Sequence, residues 1–181
     1  WLPRWKEMPA DEAGELLLRR FLLAYGPASV LDFASWTGMT TRDSERILER
    51  LDDETVAVEV QGRPMQMLRV DLPLIRKSIL HKDIVRLLPS FDMYLLGHRA
   101  KTHLTDESHY KRIYRNAGWI SPVVLLNGRV AGVWSQEKRG SRMTIRVESF
   151  EKLSPMVRSQ IAEQSADLGH FLGASCEICY A

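Results

Sequence analysis

The chain has 181 residues, of which 45% are hydrophobic, and this composition fits a globular protein with one large or two small domains. It contains neither an apolar run of membrane-spanning length nor a signal peptide, so we expect a cytoplasmic protein with no membrane partner. The net charge of +2 is too small to identify a partner, but the charge is uneven. Residues 1–80 contain 11 Lys and Arg against 13 Asp and Glu, and residues 81–181 contain 14 against 10.

The first part of the chain predicts three helices after a linker-like segment, residues 1–9. Apolar positions at helical spacing predict a first helix over residues 11–25, which stops at Gly26-Pro27. Ser29 and Thr40 are each followed three residues later by Asp, a capping pattern that predicts the starts of the second and third helices. The sequence begins with Trp1, so we expect a piece of a longer protein.

Two strand-like runs follow the helices, at residues 55–60 and 65–70, joined by residues 61–64. The order of helix, helix, tight turn, helix and two-stranded wing is that of a winged-helix module, a helix-turn-helix variant. We assign this module to residues 1–80.

The third helix of a winged helix commonly contacts DNA, but the charges of this one oppose that function. Residues 41–54 contain three Arg and six acidic residues, and acids are costly beside phosphates. We expect a solvent-exposed face held by ion pairs one helical turn apart. Arg42 and Arg46, near the start of the helix, remain candidates for a recognition helix.

Residues 81–181 predict a second module of strands and helices. Helix or turn is predicted at residues 71–80 and 82–88, and a short helix capped by Thr105 or Asp106 at 106–116. Strands are predicted at residues 120–126, 129–136, 142–149 and 174–181, with turns at Asn127-Gly128 and at residues 137–141.

A long helix is predicted to open at Ser154-Pro155 and to end at Gly173. Its expected apolar stripe consists of Met156, Val157, Ile161, Leu168 and either Phe171 or Leu172. The predicted fold class is therefore α+β: a winged-helix module, then an antiparallel sheet with a long covering helix.

The cysteines and histidines suggest no metal or cofactor. Cys176 and Cys179 lie three apart on a predicted strand and so point to opposite faces, which favours two structural thiols over a disulfide, redox or metal role. The histidines between residues 98 and 109 match no zinc-ligand spacing and are interpreted as surface or phosphate-facing residues.

Two stretches carry a resemblance, LLPSFDMYLLGHRAK and NAGWISPVVLLNGRVAGVW. They resemble the bacterial winged-helix DNA-binding family that includes the AlkZ/YcaQ-type DNA glycosylases, and the likeness extends over nearly the whole chain. The matching positions are Leu88, Pro89, Phe91, Asp92, Arg99, Pro122, Gly128, Arg129, Val130 and Gly132. The resemblance implies winged-helix units that form a curved basic surface for double-stranded DNA. It also implies a parent protein that excises alkylated or cross-linked bases.

One motif of the glycosylase members is missing. They carry Gln-apolar-Gln or Gln-apolar-Asp in an amino-terminal module, where the polar side chains position the attacking water. The glutamine triplets here begin at Gln61, Gln66, Gln136, Gln160 and Gln164, and none of them fits. The resemblance therefore implies the carboxy-terminal, DNA-binding part of such a protein, with no catalytic residue of its own, and we expect the motif upstream of Trp1.

The expected DNA-binding residues lie in the basic second half, in a run from residue 98 to 115 and around the turn at residues 137–141. They are Arg99, Lys101, His109, Lys111, Arg112, Arg115, Lys138, Arg139, Arg142 and Arg146. Pro89 and Asp92 are expected to shape a loop, with Asp92 accepting backbone hydrogen bonds or pairing with Arg99 rather than acting in catalysis.

Two further questions stay open at this stage. Tyr114, Trp119 and Trp134 flank a hairpin and are interpreted as core residues rather than base-stacking platforms. The alternative to DNA binding is a non-catalytic regulatory or protein-interaction module whose acidic third helix binds protein.

Overall fold

The computed structural model describes residues 7–79 and 82–181, and the chain divides into two compact units. One unit comprises Trp1–Ile79 with Leu96–Ala100, and the other comprises Leu80–Leu95 with Lys101–Ala181. The first six residues of the predicted linker, and Leu80 at the end of the segment predicted at 71–80, lie outside the described residues.

The first unit contains the predicted helices: α1 (Ala10–Tyr25), α2 (Val30–Thr37) and α3 (Thr41–Glu49). Local signals in the sequence set their ends. Ser29 and Asp32 form a reciprocal capping box at α2, and the Thr40 side chain accepts a hydrogen bond from the Asp43 backbone at α3. Gly38 ends α2 in the left-handed conformation at φ 76°.

The wing consists of β1 (Thr55–Val60) and β2 (Arg63–Leu68), paired antiparallel. The predicted connection of four residues is wrong, because Val60 pairs with Arg63 and the turn is the two residues Gln61-Gly62. Both turn residues have positive φ, 52° and 74°, as a tight hairpin requires. A short helix, α4 (Leu72–Lys77), follows.

The core of the first unit joins the three helices. Leu18 and Phe21 of α1 pack with Phe33 of α2, Ile47 of α3 and Leu51, and all five are at most 4% exposed. The side of α3 that carries Ser44 and Ile47 is thus buried, and the charged residues of α3 are left on the surface.

The second unit is a five-stranded sheet with helices on both sides. Its elements are β3 (Val85–Leu88), α5 (Met93–Leu96), α6 (Glu107–Ile113), β4 (Val123–Leu126), β5 (Arg129–Arg139), β6 (Arg142–Ser149), α7 (Pro155–Phe171) and β7 (Ser175–Tyr180). The strands lie in chain order, and the first four pair antiparallel. The last strand, β7, pairs parallel to β6, so the predicted antiparallel sheet is mixed. The α7 crossover returns the chain to the same end of the sheet, which makes this pairing parallel.

Two segments of this unit that were predicted to be helix or turn are strand instead. Residues 85–88 form strand β3, because they pair with the edge of β4. The segment has only four residues, which is too short for a strand periodicity to show in the sequence. The turn predicted at residues 137–141 is only Gly140-Ser141, with Arg139 paired to Arg142.

The sheet buries side chains on both faces. Val124, Trp134, Met143, Ile145 and Val147 pack on one face against Val157 and Ile161 of α7. Val123 and Val130 belong to a second cluster on the other face with Leu95, Leu104, Ile113 and Ile120. In α7 the predicted stripe residue Met156 is wrong, because it is 59% exposed. Met156 lies about 140° around the helix from Ile161 and therefore points away from the sheet. Of the two alternatives at the end of the stripe, Leu172 packs against the sheet cluster, whereas Phe171 is 84% exposed. Ser165 and Gly169, which the predicted stripe did not include, are also buried.

Candidate nucleic-acid interface

The α3 arginines are held by acids of α1. Arg46 lies 3.5 Å from Asp11, and Arg50 lies 3.0 Å from Asp11 and 2.6 Å from Glu15. The hydrogen bond to Glu15 raises the pKa of Arg50. The predicted ion pairs are present, but the shortest of them join α3 to α1 rather than successive turns of α3. The Arg46 and Arg50 guanidinium groups therefore already have anionic partners. Arg42 is exposed at the start of α3.

A different set of arginines lies on the exposed side of β5 and β6. Residues paired across strands share one face of a sheet, and alternate residues of a strand point to opposite faces. Arg139 pairs with Arg142, and Arg146 lies four residues further along the same side of β6, so all three share one face. They line a concavity of about 700 Å³ together with Thr144 and Ser175. We call this surface the arginine face, defined by Arg139, Arg142 and Arg146.

The arginine face has few acids to balance it. Glu137 accepts a contact from Arg139 at 2.6 Å, and Glu177 is the other acid of the concavity. None of the described residues forms a salt bridge with Arg142 or Arg146, both of which are exposed. Two guanidinium groups on this face therefore keep their charge available to an outside anion.

Lys138 lies on the opposite side of the sheet from these arginines. It pairs with the buried Met143, so it points to the α7 side, where its ammonium donates to the Leu172 carbonyl at 2.6 Å. Lys138 thus caps the last carbonyls of α7. The predicted basic cluster of this hairpin is divided by the alternation of the strand.

The run from residue 98 to 115 is not one continuous patch either. Arg99 belongs to the first unit, where its backbone N–H donates to the Asp32 carboxylate at 2.6 Å. The Lys101 ammonium donates to the Leu95 carbonyl at 2.7 Å and lies over the Tyr114 ring. Both contacts stabilise local structure.

Three residues of α6, together with Arg115 after its end, complete the predicted set. Arg112 pairs with Glu148 at 3.0 Å and lies over the Phe150 ring, on which His109 stacks at 4.0 Å. Lys111, one turn before Arg115, is exposed, as is Arg115. No salt bridge joins either of these two cations to any residue within the described ranges.

The loop between β3 and α5 is shaped as its residues suggest. After Pro89, the Asp92 carboxylate accepts the Tyr94 backbone N–H at 2.9 Å, and its carbonyl accepts that of Leu95 at 3.0 Å. Trp134 is buried, as expected, and donates its indole N–H to the Leu88 carbonyl.

The prediction that Trp119 is a core residue is wrong, because it is 49% exposed. Sequence reasoning also missed its neighbour Phe91, which is 45% exposed, although that residue lies between the polar residues Ser90 and Asp92, a signal for a surface aromatic. Both residues lie in the second unit.

The described residues add three observations on the kind of site. Within residues 7–79 and 82–181, no group of three or more His, Cys, Asp or Glu is arranged to hold a metal ion. Cys176 and Cys179 are free thiols. None of the helices in this part of the chain combines the length and apolarity that a membrane span requires.

Comparisons with known proteins point to one family. The sequence profile described as DNA glycosylase AlkZ-like matches residues 1–171. The chain is 36% identical over 135 residues to the interstrand DNA cross-link repair glycosylase of Streptomyces sahachiroi, an alignment that covers 72% of this chain and 36% of that protein. The solved structure of the Streptomyces sahachiroi DNA glycosylase AlkZ matches with a TM-score of 0.82 at 28% identity, over 98% of this chain and 48% of that chain. The chain therefore spans less than half of either relative.

Proposed function

The chain belongs to the AlkZ-like DNA glycosylase family, and on that premise we propose that it is a part of such a protein that binds double-stranded DNA. We assign the binding to the second unit. The observation that carries this proposal is the arginine face, where Arg142 and Arg146 are exposed while Arg46 and Arg50 of α3 are engaged by acids of α1.

The chemistry of the arginine face suits a phosphate backbone. Guanidinium groups bind phosphate oxygens through two parallel hydrogen bonds, and the Thr144 and Ser175 hydroxyls can supply further donors. Contacts of this kind carry affinity and orientation but no sequence preference. We therefore propose binding that depends strongly on salt and weakly on sequence.

We do not assign base recognition to α3 of the first unit. The exposed side of α3 carries Glu45 and Glu49 beside its arginines, and these carboxylates would face phosphates in a groove. Arg42 remains the exposed cation at the start of this helix and is the residue by which it would contact DNA.

We further propose that the chain releases no base by itself. In the resemblance described above, the attacking water is positioned by a Gln-apolar-Gln or Gln-apolar-Asp motif that these 181 residues do not contain. Gln160 illustrates the difference, because its side chain is used structurally: it accepts from the Val85 backbone N–H and donates to the Asp83 carbonyl.

Two measurements on the 181-residue chain test the proposal. Fluorescence anisotropy with an undamaged duplex should show binding that weakens steeply as salt rises, and a duplex containing N7-alkylguanine should release no base above buffer. Absence of duplex binding, together with a stable complex with another protein, would support the regulatory module instead. Base release that survives repurification would show a catalytic residue within the chain.

A further inference from the structure

The second unit has an aromatic and cationic concavity that the phosphate-binding proposal does not use. It has a volume of about 490 Å³ and is lined by Lys111, Tyr114, Arg115, Asn116 and Trp119. Two of these five residues are cations and none is an acid. We propose that it binds an unstacked nucleotide of single-stranded or locally opened DNA, with the base on Trp119 and the phosphate between Lys111 and Arg115. The inference rests on the proposed function only in taking DNA as the ligand.

The aromatic surface comes from two exposed rings. Trp119 is 49% exposed and Phe91 is 45% exposed, and their centroids are 5.1 Å apart at an interplanar angle of 82°. In such an edge-to-face pair each ring keeps at least one face that its partner does not cover. A nucleobase can stack on that face, whatever its sequence, because every base has a π surface.

The Phe91 backbone indicates that this side chain is not there for stability. Its φ is 58°, in the left-handed region that a bulky residue rarely adopts because the side chain crowds the backbone there. Asn or Gly would occupy the same turn with less strain. Strain held at an exposed aromatic residue is typical of a binding site.

The loop that carries Trp119 is closed by its own backbone. The Arg115 N–H donates to the Trp119 carbonyl at 2.7 Å, and Tyr114 and Ile120 form a β-bridge beneath this contact. Residues 117 and 118 turn the chain with φ of 58° and 74°. These contacts hold the backbone of Trp119 in place without a ligand.

Tyr114 forms a fixed wall of the concavity. Its hydroxyl donates to the Leu95 carbonyl at 2.9 Å, and its ring stacks on Tyr110 at 4.8 Å. Burial raises the pKa of Tyr114, so the phenol stays neutral and adds no negative charge. Lys111 and Arg115 give the concavity a positive charge, because no acidic residue in the described part of the chain pairs with either of them.

The site is tested by binding of a short fluorescent oligo(dT) strand to the 181-residue chain. Trp119→Ala should weaken strand binding by roughly tenfold, the loss expected for one base–aromatic stack, and Trp119→Phe should restore most of it. Bound strand should quench a part of the tryptophan emission that is missing in Trp119→Phe. Wild-type affinity in Trp119→Ala, no such quenching, or no strand binding by the wild type would each overturn the proposal.

A second variant separates binding from folding. Phe91→Asn relieves the left-handed strain, so its stability to urea should hold or rise while strand binding falls. Phe171→Asn removes an aromatic ring that is 84% exposed at the end of α7 and is the matched control, with no expected effect on binding. Equal strand affinity in the two variants would refute a function for Phe91.

Measuring duplex affinity of the same variants separates this inference from the proposed function. Loss of strand binding in Trp119→Ala with duplex binding retained supports both. Strand binding that depends on Trp119 in a chain that binds no duplex supports the nucleotide site and refutes the duplex-binding function. Duplex binding without any strand binding supports the duplex-binding function and refutes the nucleotide site.

Discussion

The arginine face allows a quantitative prediction for the salt dependence of duplex binding. Replacing Arg139, Arg142 and Arg146 together by Gln removes three positive charges from one side of β5 and β6. Each lost phosphate contact lowers the slope of log affinity against log salt by about 0.9. Arg142 and Arg146 have no described anionic partner, whereas Arg139 is paired with Glu137 at 2.6 Å and counts for less.

The triple variant should therefore lose the equivalent of two to three phosphate contacts, which lowers the slope by about 1.8 to 2.7. Between 50 and 200 mM salt, the wild type should lose roughly 12 to 40 times more of its affinity than the triple variant. Fluorescence anisotropy with an undamaged duplex across a salt series measures this slope directly. The reduction in affinity should be the same for duplexes of unrelated sequence, because phosphate contacts carry no base information.

Lys138→Gln is the matched control for this experiment. It removes one positive charge a single residue away from Arg139, but from the α7 side of the sheet, where its ammonium is bonded to Leu172. Its slope should equal that of the wild type. An unchanged slope in the triple variant would refute the assignment of DNA to this face. A change in Lys138→Gln of about one third of that in the triple variant would mean that only net charge matters.

Two further predictions concern the first unit. Replacing both Arg46 and Arg50 by Ala should change duplex affinity by less than about fivefold, because acids of α1 already neutralise them; a tenfold loss in the same anisotropy assay would make α3 a DNA-contacting helix. Burial of Asp32 opposes its ionisation, but hydrogen bonds from Ser29 and Arg99 outweigh this effect and lower its pKa. The ionised carboxylate therefore stabilises the fold at any pH above its unfolded pKa of about 3.9. This stabilisation is lost as the pH falls through the lower pKa of the folded state. Asp32→Asn should therefore cost about 1–3 kcal/mol in urea unfolding at neutral pH and progressively less below pH ~4, whereas a cost independent of pH would contradict a role for the charge.

Much of the fold was predictable because its signals are local. Ser29 and Thr40 cap helices through their own side chains, and the Asn127-Gly128 turn adopts positive φ at both residues, 52° and 84°. Such features depend on a few neighbouring residues and survive in any tertiary context. The short strand β3 was missed because its four residues acquire their pairing only from β4.

The candidate site was less predictable, because a side chain's availability depends on distant partners. The charge of α3 indicated that its arginines would be paired, but their acids come from α1, more than thirty residues away. The exposure of Trp119 depends on a closed loop and on contact with Phe91, and neither follows from the composition around the hairpin.

The sequence by itself determined the helix caps, the tight turns, the α+β order of elements, the basic second half and the family resemblance, since each is written in residue type and spacing. Only the tertiary structure decided which cations share a surface. Strand β5 continues through Arg139, and this places Lys138 against α7 and Arg139 beside Arg142 and Arg146. Adjacent residues of a strand point to opposite faces, so the register of β5 against β6, which no local pattern specifies, divides one basic stretch between two sides of the sheet.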